Sequence, residues 1–320
     1  MRTEKYIMIT NRVRAVGPLI GLVLVVLLFS ATPGFLQLIN LKIILTQTVI
    51  VAVAALGMTK IIVSGGIDLS VGSVVAFACV LGAIAIREEL PLIVVVLTTI
   101  LSGGVFGFLN GAIIAGFKMN PFIVTLGMMG VARGAAKWAA GNQTVYYDPT
   151  HPINLLMNNP PDIPFWTPPV GVAVVVVIAV VTALVVNRTV FGRHLFALGS
   201  NEAAARLCGI RTRRLKVVTY TLAGLIYGLA GLMQLSRIQQ GSPTVGVGLE
   251  LDVIASVVIG GASLSGGTGS ISGSLIGALI MAVLRNGTQL MGWENYVQEI
   301  IIGSVIILAV GLDRIRRTGS

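Results

Sequence analysis

The sequence predicts an all-α, polytopic helical membrane protein with about ten transmembrane helices, some of them broken or re-entrant. Three observations carry this. Of the 320 residues, 55% are hydrophobic and only 11% are charged, where a soluble domain has about 25% charged residues. The apolar residues fall in long uncharged runs of the length that crosses a bilayer. Thirty-nine glycines are present, many of them within those runs, and glycine lets helices approach closely in lipid.

Residues 1–16 form a basic leader with Arg2, Lys5, Arg12 and Arg14. A single transmembrane domain is expected over 17–313, and its first five spans over 17–35, 42–63, 67–86, 91–117 and 122–140. Ser64-Gly65-Gly66 separates the second from the third. Arg87-Glu88-Glu89 is a polar turn, and Lys118-Met119-Asn120-Pro121 ends the fourth. The loop 141–168 follows; it is rich in Asn and Pro, contains Tyr146, Tyr147 and Trp166, and lacks Lys and Arg. The sixth span is 169–187. A basic loop, 188–216, leads to spans at 217–235, 251–264, 271–291 and 296–312. The eighth is short and broken by glycine. A basic tail, 314–320, carries Arg314, Arg316 and Arg317.

The charges orient this plan. With the N-terminus inside, 15 of the 22 Lys and Arg residues lie in cytoplasmic segments, including Lys118, and only Lys42, Arg87 and Arg237 lie outside. Lys60, Arg133, Lys137 and Arg285 fall within spans. This positive-inside bias favours ten spans, with both termini cytoplasmic. The net charge of +10 therefore reflects orientation, and nucleic acid is not an expected partner.

Seven of those 22 basic residues lie in 188–216. Ser200 or Asn201 can cap a short helix there, Ala203 to Ala205 favour helix, and Gly209 can end it. Glu202 and Arg206, four apart, share a face and can pair. Ala203, Leu207 and Ile210 can fill a shallow groove on a partner.

Polar groups inside the spans need partners. Asp68, after Gly65-Gly66 at the opening of a helix, suits an N-cap or a pore-lining position. Asn110, Thr125, Asn286, Gln289 and Gln298 fit inter-helix hydrogen bonds or substrate contact. Arg133 and Lys137 share a face and fit snorkelling to the interface. Glu250 and Asp252 fall outside and should be solvated. Gly103, Gly104, Gly107 and Gly111 suggest close helix packing, and Phe77, Phe106 and Phe122 ordinary packing.

Several chemistries are excluded. No Gly-x-x-x-x-Gly-Lys-Ser/Thr loop, His-Glu-x-x-His or Cys-x-x-Cys occurs. Cys79 and Cys208 are too few and too separated for a disulfide framework or metal site. His151 and His194 have no ligand partners nearby. No cleavable signal peptide is evident. Asp68 is nearly alone within the first half of the membrane, where a proton-coupled carrier needs paired intramembrane acids, so if the chain is a transporter its energy should come from another chain. Ser64-Gly65-Gly66 with Gly72-Ser73 is echoed by Ser265-Gly266-Gly267 with Gly273-Ser274 at the same spacing, and transport folds often contain repeats.

Four blocks carry a family resemblance. They are Gly66-Ile67-Asp68-Leu69-Ser70-Val71-Gly72-Ser73; Phe122-Ile123-Val124-Thr125-Leu126-Gly127-Met128-Met129 with Arg133-Gly134; Gly192-Arg193 followed by the run from Ala197 to Ile210; and the run from Gly248 to Gly261 followed by Leu264-Ser265-Gly266-Gly267. Over roughly 40–312 the chain resembles the permease subunits of ribose-type ABC sugar importers, carbohydrate uptake transporter family 2. The Glu-Ala-Ala signature of ABC permeases in general is matched loosely, with Gly209 one residue late, and the loop 141–168 departs from the family pattern.

The resemblance implies an ABC importer permease fold in the bacterial inner membrane, surrounded by membrane lipid. It implies uptake of a monosaccharide, whether a ribose-like pentose, a hexose or a related polyol. Expected partners are a cytoplasmic ABC ATPase subunit, a second permease copy or paralogue, and a periplasmic sugar-binding protein. No cofactor is expected in this chain, with ATP and magnesium on the ATPase, and no catalysis of its own. Asp68, Ser70, Ser73, Asn110, Thr125 and Asn286 are candidates for the substrate pathway. Ser200, Asn201, Glu202, Ala203, Ala204, Arg206, Leu207 and Gly209 are candidates for ATPase coupling. Alternatives are an ABC permease for branched-chain amino acids or another small polar solute, and a stand-alone carrier or channel.

Overall fold

A computed structural model describes residues 17–160, 162–164 and 167–318. The basic leader and Trp166 lie outside the described residues. Twelve α-helices are present among those described, rather than about ten: α1 (Gly17–Ser30), α2 (Leu38–Val63), α3 (Val71–Arg87), α4 (Leu92–Phe117), α5 (Pro121–Ala139), α6 (Val170–Arg188), α7 (Val190–Ser200), α8 (Glu202–Leu207), α9 (Thr212–Ile238), α10 (Leu249–Ile259), α11 (Ile271–Leu290) and α12 (Asn295–Thr318). The two helices beyond the expected ten are α7 and α8, both in the basic loop. Among the described residues, α2, α4, α6, α9 and α11 are long and apolar enough to cross a membrane unaided. The first helix stops at Ser30, and Phe35 turns back to pack on Phe29 with ring centroids 5.9 Å apart.

The centre is α2. From Ala52 to Val63 every residue is buried, the pattern of a helix covered all round. It is covered by α6, α9, α10 and α11. The most extensive helix pair is α4 with α9. Its seam is made of the expected glycines. A Cβ on Gly103 would come 2.8 Å from Gly228 Cα, one on Gly107 2.9 Å from Gly224 Cα, and one on Gly111 2.8 Å from Val217 Cα. Gly104 meets the Leu225 side chain. Backbone thus lies against backbone, the usual source of helix association in lipid.

The C-terminal ends of α2 and α6 lie with α7 and α8 at one end of the molecule. The other end is closed by a short antiparallel pair, β1 (Val145–Tyr146) and β2 (Gln240–Gly241). The loop 141–168 is folded there. It holds a 3₁₀ turn, Pro152–Leu156, and covers the end of α9: Tyr147 donates to the Leu235 carbonyl (3.2 Å) and Asn158 to that of Ser236 (2.7 Å). These satisfy carbonyls that a helix terminus leaves open.

The expected eighth span holds a short helix between the β2 end and the α7–α8 end of the molecule. Eleven residues of α10 rise about 16 Å, half the hydrocarbon thickness. The chain completes the passage without helix on either side. It enters from β2 and leaves through the turn 260–270, where Gly267 N–H donates to the Val63 carbonyl at the end of α2 (2.9 Å). The two echoed Ser-Gly-Gly motifs meet at this point. Gly65 and Gly266 both have positive φ, +82° and +85°, and a Cβ on Gly266 would lie 2.8 Å from Gly65 Cα.

The seam is open to test. Gly107→Val should lower stability by about 1–3 kcal/mol or prevent assembly, because an overpacked helix contact cannot relax. Gly130→Val, where no neighbour lies within 4 Å, should be near neutral. Thermal unfolding in detergent distinguishes the two; equal shifts would refute a close-packed seam.

Candidate functional site

At the break between α2 and α3, Ser64 closes α2 by donating to the Ile61 carbonyl (2.7 Å), and Gly65 turns the chain in the left-handed region. A side chain at Gly66 would meet the Tyr220 hydroxyl. The chain then runs as far as Ser70 without helix before α3 begins. Asp68 does not occupy the N-cap position, which is Ser70. Its carboxylate accepts from the Ser70 amide (2.9 Å) and hydroxyl (2.6 Å). Ser70 Oγ in turn accepts from Asn110 Nδ2 on α4 (3.0 Å). Thr125 on α5 donates to the Ile67 carbonyl (3.2 Å) as well as to that of Pro121 in its own helix. The α2–α3 break, α4 and α5 therefore hold one polar knot.

Asp68 is 1% exposed, and Ser70, Ser73, Asn110 and Thr125 are equally buried. Among the described residues Asp68 forms no ion pair. Asn110 Oδ1 and the hydroxyls of Tyr220 and Tyr227 are buried without a hydrogen-bond partner. Ionisable and polar groups at this depth are costly unless satisfied. The knot thus keeps unused hydrogen-bonding capacity in the interior.

Asn286 is not part of it. Asn286 and Asn40 exchange two amide hydrogen bonds, 2.9 and 2.8 Å, and Asn40 also donates to the Phe35 carbonyl (2.8 Å). Asn40 stands about 35 Å along α2 from Val63 by helix rise. Asn286 ties α11 to the far end of α2.

A second polar cluster was missed in the sequence. Asp252 on α10, expected in solvent, is 5% exposed and pairs with Arg285 on α11 at 2.6 Å. Gln47 on α2 lines a cavity of about 30 Å³ beside them. The available signal was an arginine within a span: such a charge needs a partner in the interior, and Asp252 lies near it on the adjoining element. Arg133 has backbone partners. Its guanidinium donates to the carbonyls of Pro243 (2.8 Å) and Val245 (2.7 Å) and fixes the chain before α10. Lys137 is exposed and Glu250 half-buried. Phe77 and Phe106 pack edge to face at 5.1 Å, and Phe122 is exposed. Gln289 is exposed and Gln298 buried.

At the α8 end, Thr189 caps α7 and Asn201 caps α8, its Oδ1 accepting from the Ala204 amide (3.0 Å). Ser200 is the last residue of α7, and Gly209 with φ +83° follows α8. Gly199 sits against Val63 and Gly267, where a Cβ would lie 2.6 Å from Gly267 N. The α7–α8 corner is thereby joined to the end of α2 and to the α10–α11 turn. Glu202 binds both Arg206 (3.3 Å) and Lys216 (2.7 Å). Partial burial pushes its carboxyl up, but these two cations more than reverse that and hold it below the ordinary glutamate value. Ala203 and Ala204 are exposed, and Leu207 is 90% exposed. Among the described residues no three His, Cys, Asp or Glu side chains converge as metal ligands.

Residues 40–310 match the family described as the branched-chain amino acid transport system / permease component. The ribose import permease protein RbsC of Escherichia coli (strain K12) is 40% identical over 299 residues, covering 91% of each chain. The protein of the same name from Bacillus subtilis (strain 168) is 39% identical over 97% of this chain and 96% of its own. The L-arabinose ABC transporter permease protein AraH of Azospirillum brasilense is 36% identical over 93% of this chain and 88% of its own. No solved structure matches. With 271 of 320 residues inside the family match and relatives aligned over nearly their whole length, this multi-pass membrane chain belongs to that family of transport-system permease components.

Proposed function

We propose that the chain is the transmembrane permease subunit of an ABC importer and forms the pathway for a monosaccharide: a ribose-like pentose, a hexose or a related polyol. The α8 end faces the cytoplasm and docks the ATPase, which carries ATP and magnesium. A periplasmic binding protein delivers the sugar to the β1–β2 end. A second permease, a copy or a paralogue, completes the pathway, both termini are cytoplasmic, and the membrane is the bacterial inner one. The single observation behind the coupling role is the union of an exposed Leu207 on α8 with a backbone contact from Gly199 to the end of α2. Packed contacts of that kind shift as units, so displacement of α8 reaches the break that holds Asp68.

The names of the relatives favour sugar as cargo, two being named for ribose and one for arabinose. Branched-chain amino acids are the second reading, favoured by the family description. Neutral hydrogen-bonding groups at the knot suit a polyol, which must be bound weakly enough to be released. Uptake of radiolabelled ribose, arabinose, fructose and leucine by cells carrying the complete system separates the readings; transport of leucine alone refutes the sugar assignment.

Orientation can be read from a native cysteine. Cys208 is exposed and Cys79 buried. An impermeant maleimide should label Cys208 in inside-out vesicles only. In a Cys208→Ser background, Tyr146→Cys should label in intact spheroplasts. Labelling of both from one side contradicts the proposed topology.

The coupling role predicts that Leu207→Asp leaves a folded membrane protein but weakens ATPase association by about a hundredfold, the cost of a charge inserted into an apolar contact. Co-purification in detergent checks it, and wild-type association places the dock elsewhere.

The pathway role predicts that Ser70→Ala or Asn110→Ala cuts uptake at least tenfold while the ATPase stays bound. Asn286→Ala should act through stability, by about 1–3 kcal/mol for the amide left unpaired. Normal uptake by both knot variants would remove the knot from the pathway.

A further inference from the structure

Where α7 passes the start of α9, the described surface holds a groove of about 410 Å³. Its polar lining is Arg211, Arg214 and His194, and its apolar lining is Phe191, Ile210, Leu215 and Val218. Neither arginine has an ion pair or side-chain hydrogen bond among the described residues, and both are exposed. The one acid in 188–216, Glu202, is already held by Arg206 and Lys216. Two close cations are thus left facing an opening with no anion to meet them.

The groove follows the start of α9, with lining residues from Arg211 to Val218. Val218 lies seven residues beyond Arg211, about 10 Å further along by helix rise, and is 44% exposed. Val190, next to Phe191, is exposed as well. The cationic lining therefore adjoins exposed apolar side chains on α7 and α9. A soluble anion meets the arginines but leaves the apolar lining uncovered. A phospholipid fits both, with its phosphate at the arginines and an acyl chain against Val218. Basic pockets at helix ends on a membrane face take anionic head groups in this way.

We propose that this groove is a binding site for one anionic phospholipid of the adjoining leaflet. Its phosphate sits between Arg211 and Arg214, and its chain lies along the first two turns of α9. The site adjoins α8 through Gly209 and Ile210, so an occupied groove braces the corner to which α8 is attached. The inference does not depend on what the protein transports.

Native mass spectrometry of the purified protein, titrated with phosphatidylglycerol and with phosphatidylcholine of the same chains, tests it. The wild type should retain one phosphatidylglycerol that phosphatidylcholine does not displace. Arg211→Gln with Arg214→Gln should bind it about thirtyfold more weakly, the loss of two interfacial cations. Arg193→Gln, outside the groove, should match the wild type. If the double variant does not elute as wild type, Val218→Gln serves instead and should weaken the lipid without changing the binding of inorganic phosphate. Equal phosphatidylglycerol affinity in wild type and variant overturns the site. So does displacement of the lipid by inorganic phosphate at equal concentration, which would make it a plain anion site. Protection of the arginines from phenylglyoxal by the ATPase but not by lipid would make it a protein dock, and also overturns it.

Discussion

Backbone packed on backbone at the end of α2 is the constraint on which the other features rest. The Val63 carbonyl accepts from Gly267, Gly199 lies against both, and Gly65 faces Gly266. Three segments distant in sequence share one spot because none carries a side chain there. Move any of them and the chain must shift at the start of the polar knot, at the α7–α8 corner and at the α10–α11 turn. Contacts of this kind have few alternative arrangements, which favours discrete movements over gradual deformation.

The bilayer explains where irregular backbone is found. Unpaired amides and carbonyls are not tolerated against lipid, so non-helical segments at membrane depth must be enclosed by protein. The stretch 64–70 is enclosed by α4, α5 and α9, whose Asn110, Thr125 and Tyr220 surround it. On the approach to α10, which is partly exposed, Arg133 accounts for two carbonyls. The same logic accounts for Asp252 and Arg285, each of which makes the other tolerable.

Hydropathy and charge in the sequence made the long helices legible, since each must bury or immerse about twenty apolar residues. The glycine seam was legible because Gly103, Gly107 and Gly111 recur at helical spacing. Asn201 and Gly209 marked the ends of α8 through their local chemistry. What the sequence left hidden was pairing across distance. Asn286 reads as a pathway group until Asn40, 246 positions away, is placed beside it. Asp252 reads as solvated because its partner lies on another helix. α7 was hidden because its basic and apolar residues mix, and tertiary packing of Leu195 and Leu198 on Val63 settles it as helix.

The seam between α4 and α9 also bears on how the chain is made. Synthesis proceeds from the N-terminus at about 5–20 residues per second. Gly107 therefore leaves the ribosome on the order of ten seconds before Gly224, its eventual neighbour. Through that interval α4 must reside in the bilayer with its glycine groove filled only by lipid. When α9 arrives, its glycines close on that groove and the displaced lipid gains freedom. Insertion thus precedes association by many residues.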